Sequence, residues 1–455
     1  MPAHLVVLIH GLWGSPEHLA EAKSVLEETY HGSASTTHIH GPSSDPTIES
    51  TSVRGGDDRL VVMIAGGMSS KLTYDGIDVC ASRVAWEVER HIIELEAQGI
   101  EVDQFSVTGY SLGGLVARYL VGLLESDESF FRRHKPVSFS TIATPHLGVP
   151  RYNTVLSTAL CWLGARLLSR SGEQLYVADS YADGRPLLEV MADPDEAFIR
   201  ALRRFKRIEI FANAVNDHTV PYPSAAIETV DHFAEFKDRN FVVQTDEAGI
   251  LQMWHAPEAT NRSKWYHSVG TLPPVLRFRF PYNLIILVLF PIMLPLIVTL
   301  FVIRLLLDTR TSRMRLQQLA ATPYSGAASP VHSSSGLSVD ILREAIRTIR
   351  RVEEELEVDF LEEPDYDEEE YEQGSNLGST APTTPHVVTT RVHLKPSQLR
   401  MASWLNSLPL EKYLTWFPDV ANTHSLIVVR DPLRFPVQLR GRGVLMKWAR
   451  GVLGE

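Results

Sequence analysis

Hydrophobic positions in the first 280 residues follow two alternating spacings. Short runs rich in β-branched residues predict strands at 5–9, 60–65, 105–108, 137–143 and 208–212. Between them, apolar residues recur at helical spacing, most clearly over 79–98 and 112–124. Because strands that alternate with helices form βαβ units, this pattern predicts an α/β fold with a mostly parallel central sheet.

A mixed helical stretch at 151–205 interrupts this alternation. Insertions between the late strands of an α/β enzyme often cover the site at the strand ends. The stretch is therefore predicted to be either a cap over a site or a plain packing subdomain.

A long apolar run follows at 284–303, where twenty consecutive residues carry no charge. As a helix, this run would extend about 30 Å, the thickness of the hydrocarbon core of a bilayer. Pro291 and Pro295 predict a kink or break, because the N–H missing from Pro295 would otherwise bond the carbonyl of Pro291. Residues 281–308 are therefore predicted to associate with a membrane, with a buried pair of core helices as the alternative.

The composition changes again after the apolar run. Residues 309–390 contain two stretches rich in Ser, Thr and Pro, and both are too poor in apolar residues to pack. We interpret this region as a disordered acidic insertion. Residues 391–455 are predicted to be ordered, with a strand at 425–429 and a C-terminal helical stretch.

Composition and charge narrow the class of protein. The 455 residues are 44% hydrophobic, which is typical of a globular chain. The net charge is −12, but 353–372 alone carries thirteen carboxylates and no base, so the remainder sums to −12 + 13 = +1. This distribution does not indicate a nucleic-acid partner. Cys80 and Cys161 are too few for a disulfide framework or a cysteine zinc site, which fits a reducing compartment, and no secretory signal is predicted.

The strongest chemical pattern is Val-Thr-Gly-Tyr-Ser-Leu-Gly-Gly at 107–114, which contains G-x-S-x-G with Ser111 at its centre. It follows a predicted strand and opens a predicted helix, where a serine on a tight turn projects its hydroxyl from the sheet. The backbone N–H of Leu112 would then face an incoming oxyanion. Ser111 is therefore the predicted nucleophile, and a chance match in a loop is the alternative.

A second loop supports this interpretation. The strand at 5–9 runs into His-Gly-Leu-Trp-Gly at 10–14, where a hydrolase needs a loop whose backbone N–H completes the oxyanion hole. Leu12 is the predicted donor. His10 is predicted to bond the loop backbone rather than to act in catalysis.

Together with further segments, these motifs resemble the serine esterase or lipase family of α/β-hydrolases, in particular its fungal branch, which includes a lipid-droplet phospholipase. The further segments are Ile142-Ala-Thr-Pro-His-Leu-Gly148, Asn216-Asp217 with Val220-Pro221, and His424 followed by Leu426-Ile-Val-Val-Arg430. The resemblance covers 1–225 and 395–455. It implies an α/β-hydrolase fold, with 1–280 and 391–455 forming one core, and serine-dependent hydrolysis of acyl esters in lipids without a metal or organic cofactor.

A serine nucleophile needs a histidine base and a carboxylate that orients the base. In this fold the acid follows the serine and precedes the histidine. Asp217 lies just after the strand at 208–212 and is the predicted acid, although Asn-Asp is also ordinary turn chemistry.

The base must be chosen among seventeen histidines. Chain order excludes those before Asp217, including His146, which is predicted to support its loop. His255, His267 and His424 follow plausible strands. His424 precedes the segment that resembles the family's ending and is the predicted base, while His255 and His267 stay open as alternatives.

The predicted function is a lipid acyl-ester hydrolase, a phospholipase or lysophospholipase at a lipid droplet or membrane surface. Its partners are the lipid substrate and that surface, with the catalytic domain facing the cytoplasm. Because Ser111 and Asp217 precede the apolar run and His424 follows it, the run is predicted to enter and leave the membrane on one face. It would do so as a re-entrant or monotopic hairpin bent near the prolines.

Two other functions stay open at this point. One is a catalytically silent membrane scaffold that keeps the hydrolase fold and recruits partners through the acidic region. The other is an acyltransferase, for which the only sequence support is an HxxxxD pattern formed by His40 and Asp45.

Overall fold

A computed structural model gives the fold of most of the chain. The structure describes residues 2–32, 36–39, 49–55, 58–126, 129–152, 161, 163–234, 236–237, 241–255, 282–321 and 392–454. His267, one of the alternative bases, lies outside these residues. His40 and Asp45 of the HxxxxD pattern also lie outside them, as do residues 322–391.

The strands form one large sheet and two short pairs. In chain order they are β1 Pro2–Ile9, β2 Thr36–Ile39, β3 Glu49–Gly55, β4 Asp58–Ile64, β5 Glu101–Tyr110, β6 Lys135–Ile142, β7 Arg151–Tyr152, β8 Arg207–Asn213, β9 Val242–Thr245, β10 Leu251–His255, β11 Val392–His393 and β12 Leu410–Thr415. The large sheet has eight strands in the order β12-β8-β6-β5-β1-β4-β3-β2. Its strands pair in parallel from β12 to β4, whereas β3 and β2 pair antiparallel at one edge.

The helices lie before, between and after these strands. They are α1 Ala20–Gly32, α2 Ile77–Ala97, α3 Leu112–Ser126, α4 Phe130–Arg133, α5 Ser169–Leu175, α6 Leu187–Val190, α7 Ala197–Leu202, α8 Tyr222–Ala226, α9 Tyr282–Ala321, α10 Pro396–Leu405, α11 Thr423–Leu426 and α12 Arg442–Leu453. Short 3₁₀ helices occur at Pro16–Leu19, Ser70–Tyr74 and Pro436–Gly441. The α/β class and the mostly parallel sheet predicted from the sequence are confirmed.

The core has a layer on each face of the sheet, as the two-residue period of β1 requires. Leu5 and Val7 pack on the face covered by α2 and α3. Val6 and Leu8 pack on the opposite face, against α1 and α12. All of these strand residues are almost completely buried, so β1 lies at the centre of the molecule.

The stretch at 151–205 is largely built into the main core. Phe198 of α7 contacts Tyr119 of α3, with ring centroids 5.1 Å apart. Leu187 and Leu188 belong to the same apolar cluster as the strand residues. Between the two interpretations left open by the sequence, this packing favours the subdomain over a freestanding cap for the described part of 151–205.

The prediction of a strand at 425–429 is wrong. The segment predicted as a strand at 425–429 contains the end of α11 and a turn, in which Val429 has φ +51°. Its β-branched run is buried beside α12, so tertiary packing, and not strand propensity, decides its shape. The last strand of the sheet is instead β12. Its alternation of apolar and polar residues is interrupted by the adjacent charged residues Glu411 and Lys412.

The apolar run also differs from its prediction. Helix α9 is a continuous helix of 40 residues that passes through Pro291 and Pro295. Each proline removes one hydrogen bond and crowds the carbonyl four residues earlier, and both sites lie close together in a helix of 40 residues that continues on either side. The predicted break and hairpin are therefore not found. The insertion predicted at 309–390 also begins too early, because 309–321 belongs to α9.

Helix α9 has two dissimilar halves. From Leu305 onward one side is buried, with Asp308, Thr309, Ser312 and Leu316 following at helical spacing. Between 293 and 301 every residue is exposed. In the part of the chain that the structure describes, no helix combines the length and apolar character needed to cross a membrane.

Candidate active site

Ser111 occupies a strained turn between β5 and α3. Its φ is +55°, in the left-handed region that a side chain rarely adopts. Glycines make the turn possible: a Cβ on Gly109 would lie 2.3 Å from the carbonyl oxygen of Gly113, and one on Gly113 would lie 2.2 Å from that of Ile9. The turn therefore has the geometry that presents a serine hydroxyl above the end of the sheet.

His424 connects Ser111 to Asp217. Its Nε2 lies 3.1 Å from the Ser111 Oγ, and its Nδ1 lies 2.9 Å from Oδ2 of Asp217. The side chains of His424 and Asp217 are 7% and 2% exposed, so both contacts are shielded from water. The structure thus brings together the three residues that the sequence predicted as nucleophile, base and acid.

The hydrogen bonds of Asp217 fix its charge and orientation. Its Oδ1 accepts the backbone N–H groups of Thr219 and Val220, and its Oδ2 accepts the side-chain amide of Asn213 at 2.8 Å. Burial raises the pKa of this carboxyl, but the charge and hydrogen bond of His424, aided by Val220 and Asn213, hold its pKa below the usual value. Asp217 is therefore a carboxylate near neutral pH.

The charge of Asp217 decides the proton positions in the site. A carboxylate only accepts hydrogen bonds, so Nδ1 of His424 must carry the proton that it shares with Asp217. Neutral imidazole then has an unprotonated Nε2, which accepts the hydroxyl proton of Ser111. This is the tautomer that general-base catalysis requires.

Helix α11 places His424, although the sequence predicted a strand beside it. The Asn422 side chain caps this short helix by accepting the His424 backbone N–H at 3.1 Å. The Thr423 hydroxyl donates to the carbonyl of Val215 at 2.8 Å, which ties the helix to the loop that carries the acid. The Tyr110 hydroxyl donates to the His424 carbonyl at 3.0 Å, and the two rings lie 5.1 Å apart.

Three supporting residues were missed by the sequence reasoning: Tyr110, Asn213 and Thr423. Tyr110 lies inside the G-x-S-x-G motif, and Asn213 is the last residue of β8, so both positions carried a usable signal. Thr423 had none, because its partner is 208 residues away in the chain.

The predicted oxyanion donors lie on two elements that meet at Ser111. Leu112 is the first residue of α3, where backbone N–H groups have no partner within the helix. The turn at 10–14 lies against the serine, since a Cβ on Gly11 would be 2.8 Å from the Cβ of Ser111. Leu12 lies in this turn, which is closed by a hydrogen bond from Gly14 N–H to the Gly11 carbonyl at 3.0 Å.

His10 lies at the base of that turn and is completely buried. Its Nδ1 lies 3.0 Å from the Gly11 carbonyl, and its Nε2 lies 3.4 Å from the Ser69 hydroxyl. Burial lowers the pKa of His10 to about 4, so the ring is neutral near pH 7. These contacts hold the turn in place.

The other histidines considered as bases lie elsewhere. His146 is buried beneath the site, where its Nδ1 lies 2.8 Å from the Arg118 guanidinium and its Nε2 lies 3.0 Å from the Thr141 hydroxyl. Since arginine only donates, Nδ1 accepts and Nε2 carries the proton. His255 ends β10 and is exposed.

Within the described residues, no group of three or more His, Cys, Asp and Glu side chains is arranged to hold a metal ion. A cavity of about 320 Å³ borders the loop of the acid. Its lining includes Tyr152, Asp217, His218, Tyr222 and Lys237. This cavity therefore adjoins Asp217, the acid of the site. The contacts that carry the chemistry are those of Ser111 and His424.

The parallel sheet, the serine on its strained turn, and the acid and histidine that follow in that order define an α/β-hydrolase with a Ser-His-Asp triad. Residues 1–227 match the family model described as "Putative serine esterase (DUF676)". The chain belongs to this family. The resemblance inferred from its motifs is thereby confirmed.

Curated relatives are similar over part of their length. The protein named "Putative lipase ROG1" from Saccharomyces cerevisiae is 28% identical over 230 residues, covering 50% of this chain and 29% of that protein. "Putative lipase C4A8.10" from Schizosaccharomyces pombe is 35% identical over 128 residues, covering 27% of this chain and 16% of that protein. This chain thus covers no more than 33% of the length of any of these relatives.

Among solved structures, the product of gene lin2722 from Listeria innocua matches 49% of this chain and 76% of its own, with 13% identity and a TM-score of 0.26. We draw no argument from a similarity this low. The fold assignment rests on the strand order and on the geometry of the serine turn.

Proposed function

We propose that this protein hydrolyses acyl esters of lipids at a lipid surface through Ser111, His424 and Asp217. The observation that carries the proposal is the pair of contacts made by His424, 3.1 Å to the Ser111 hydroxyl and 2.9 Å to the Asp217 carboxylate. Residues joined in this way activate a serine by removing its proton as it attacks.

The acylation step follows from this geometry. The Ser111 oxygen bonds to the ester carbonyl carbon while Nε2 of His424 takes the hydroxyl proton. The backbone N–H groups of Leu12 and Leu112 bind the carbonyl oxygen as it becomes negative. When the ester bond breaks, His424 gives its proton to the leaving alcohol, and the acyl group remains on Ser111.

Deacylation repeats the same proton transfers with water. His424 takes a proton from the water molecule as its oxygen attacks the acyl carbon, and then returns that proton to the Ser111 oxygen. Asp217 stays ionised throughout and stabilises the imidazolium that forms in each half of the reaction. The fatty acid leaves, and no external oxidant, reductant or cofactor is consumed.

A lipid substrate is supported by the exposed half of α9 and by the names of the relatives, which are described as lipases. The large apolar side chains exposed on α9 are Met293, Leu294, Leu296, Ile297, Val298, Leu300, Phe301, Ile303, Leu306 and Leu307. At about 100° per residue these positions surround the helix, so a groove on a protein partner would cover only one side of it. A lipid phase can cover all sides, and the nearby cation Arg304 suits anionic headgroups.

The geometry of the triad limits how α9 can meet the membrane. Ser111 and Asp217 precede α9 and His424 follows it, yet all three are in contact. The three residues must therefore lie on one side of any bilayer. We accordingly propose a monotopic association with a membrane or lipid droplet, with the catalytic domain on the cytoplasmic side and phospholipid or lysophospholipid as substrate.

Labelling with a fluorophosphonate tests the chemistry, because such probes react with activated serines. We expect strong labelling of the full chain, none in Ser111→Ala, and release of fatty acid from lysophospholipid or phospholipid vesicles. Absence of labelling in a folded chain would contradict the proposal and favour the silent scaffold. Transfer of the acyl group to an added alcohol in preference to water would favour the acyltransferase.

A further inference from the structure

A buried carboxylate outside the active site holds α9 to the body of the protein. Asp75 is completely buried and accepts hydrogen bonds from Ser312 at 2.6 Å and from the Arg315 guanidinium at 2.6 and 3.2 Å. Arg83 of α2 donates to the same carboxylate at 2.7 Å. We call Asp75, Ser312 and Arg315 the helix anchor.

The anchor is continuous with the 3₁₀ helix that directly precedes Asp75. Arg315 also donates to the carbonyl of Lys71 at 3.0 Å, and the Lys71 ammonium pairs with Asp308 at 2.7 Å. Tyr74 packs with Leu305 in a small apolar cluster. Residues on four successive turns of α9 therefore contact one short segment of the body.

That same segment supports the turn that carries Leu12. Ser70 N–H donates to the Gly14 carbonyl at 2.8 Å, and the Trp13 backbone N–H donates to the Thr73 hydroxyl at 3.2 Å. The Trp13 indole N–H donates to the Tyr74 hydroxyl at 2.7 Å. These contacts thus connect α9 to the oxyanion turn at 11–14 through residues 70–75.

Trp13 shows why this connection matters at a lipid surface. Its side chain is 50% exposed, and its backbone has φ +56°. It directly follows the predicted oxyanion donor Leu12 in the chain. A large aromatic ring in this position gains stability when lipid covers it. A force that moves α9 or Trp13 would therefore be transmitted directly to the backbone of the oxyanion turn.

We propose that the helix anchor couples the lipid contact of α9 to the oxyanion turn, so that binding to a lipid surface adjusts the position of the Leu12 N–H for catalysis. Ser312 and Arg315 are then positioning residues for hydrolysis, acting through residues 70–75. This proposal rests on the proposed hydrolase function and adds a regulation of that site by the surface on which the protein works.

The test uses the full chain and the soluble ester p-nitrophenyl butyrate, with and without vesicles of phosphatidylcholine and phosphatidylserine. We expect vesicles to raise the kcat of the unaltered chain and to leave the KM for this small ester nearly unchanged. In Ser312→Ala/Arg315→Ala this rise should shrink about tenfold, while sedimentation with vesicles persists because the apolar half of α9 is intact. An equal rise in the double variant would overturn the proposal.

Arg313→Ala is the matched control, because Arg313 lies on α9 between the anchor residues but pairs with Glu173 at 3.6 Å. It should keep the full response to vesicles. Ser312→Thr, which retains the hydroxyl, should keep most of it, whereas Ser312→Ala alone should lose part of it. If the double variant fails to fold, the two single changes at Ser312 decide the question.

Trp13 provides a readout that does not depend on hydrolysis. Its emission, taken as the difference between the full chain and Trp13→Phe, should shift to shorter wavelength on vesicle binding and should lose this shift in the double variant. An unchanged shift in the double variant would contradict the coupling. A chain that shows the shift but no labelling of Ser111 would contradict the hydrolase function alone, and a chain that dimerises and ignores vesicles would overturn lipid as the occupant.

Discussion

Two buried aspartates show how the same side chain serves two different tasks in this molecule. Asp217 accepts hydrogen bonds from backbone and amide N–H groups and from the imidazole of His424. Asp75 accepts them from two guanidinium groups, those of Arg83 and Arg315, and from a hydroxyl. Both side chains are at most 2% exposed.

The difference lies in the partners. The imidazole beside Asp217 also contacts the Ser111 hydroxyl, so it can take up and return a proton during a reaction. The guanidinium groups beside Asp75 only donate hydrogen bonds, so that cluster is fixed and joins α2, α9 and the segment before Asp75. A buried carboxylate therefore indicates chemistry or attachment according to whether its partner can pass a proton to a third group.

The largest expected effect comes from removing the groups that exchange the proton. Ser111→Ala and His424→Ala should each reduce kcat at least about a thousandfold, because triad members act as a unit. Steady-state hydrolysis of p-nitrophenyl butyrate measures this loss. His255→Ala is the control and should retain normal turnover. An inactive His255→Ala together with an active His424→Ala would assign the role of base to His255.

Asp217→Asn should be less severe, because it leaves the nucleophile and base in place but favours the wrong tautomer of His424. We expect its loss of kcat to be about 50-fold smaller than that of Ser111→Ala. Steady-state hydrolysis of p-nitrophenyl butyrate by the two variants measures the ratio. Equal losses would mean that the carboxylate does more than orient the ring.

Asp75→Asn should act on stability rather than on the chemical step. Removing the buried charge leaves two arginines without their carboxylate partner and should lower the free energy of unfolding by about 4 kcal/mol. Urea unfolding followed by circular dichroism provides the measurement, with Arg313→Ala as a nearby control expected to change it by less than about 1 kcal/mol. A stable Asp75→Asn chain would show that α9 is held mainly by its apolar contacts.

Glu209 is another buried carboxylate, and the Ser140 hydroxyl donates to it at 3.4 Å. Burial, opposed by Arg207, raises its pKa from 4.5 to about 7. The folded state thus keeps a proton that the unfolded state releases, so stability falls as pH rises from 4.5 to 7. The loss should reach at most about 3 kcal/mol.

Glu209→Gln should remove this part of the pH dependence while leaving stability near pH 4 almost unchanged. Denaturant midpoints measured between pH 4 and pH 8 for both chains would show it. A slope that is the same in both chains would contradict the assignment to Glu209.

The smallest effect is expected from deleting 322–390 and bridging the gap with a short flexible linker. This segment lacks the apolar content to contribute to a core, so hydrolysis and the thermal midpoint should stay within error. A misfolded or inactive product would show that the segment packs against the body.

The sequence was most informative where one local pattern determined the structure. The strand at 5–9, the strand at 105–108 and the helix at 112–124 follow from short-range periodicity, and their turn follows from G-x-S-x-G. The serine, acid and histidine of the site could also be chosen from chain order and motif, because the fold dictates that order.

The sequence was misleading where tertiary contacts outweigh local preference. The run at 425–429 has strand propensity but is fixed by burial beside α12. The prolines of α9 favour a break, yet the rest of the helix retains its hydrogen bonds. The helix anchor could not be predicted, since Asp75 and Arg315 are 240 residues apart and neither belongs to a motif.

The long interval between nucleophile and base has a consequence for biosynthesis. Ser111 and His424 are separated by 313 residues, and β12 joins the sheet beside β8 only after that interval. At ribosomal speeds of about 5–20 residues per second, roughly 15–60 s pass between the emergence of the two residues. Throughout that time the nascent chain carries its serine without a base. The proposed hydrolysis would therefore become possible only after His424 has emerged from the ribosome.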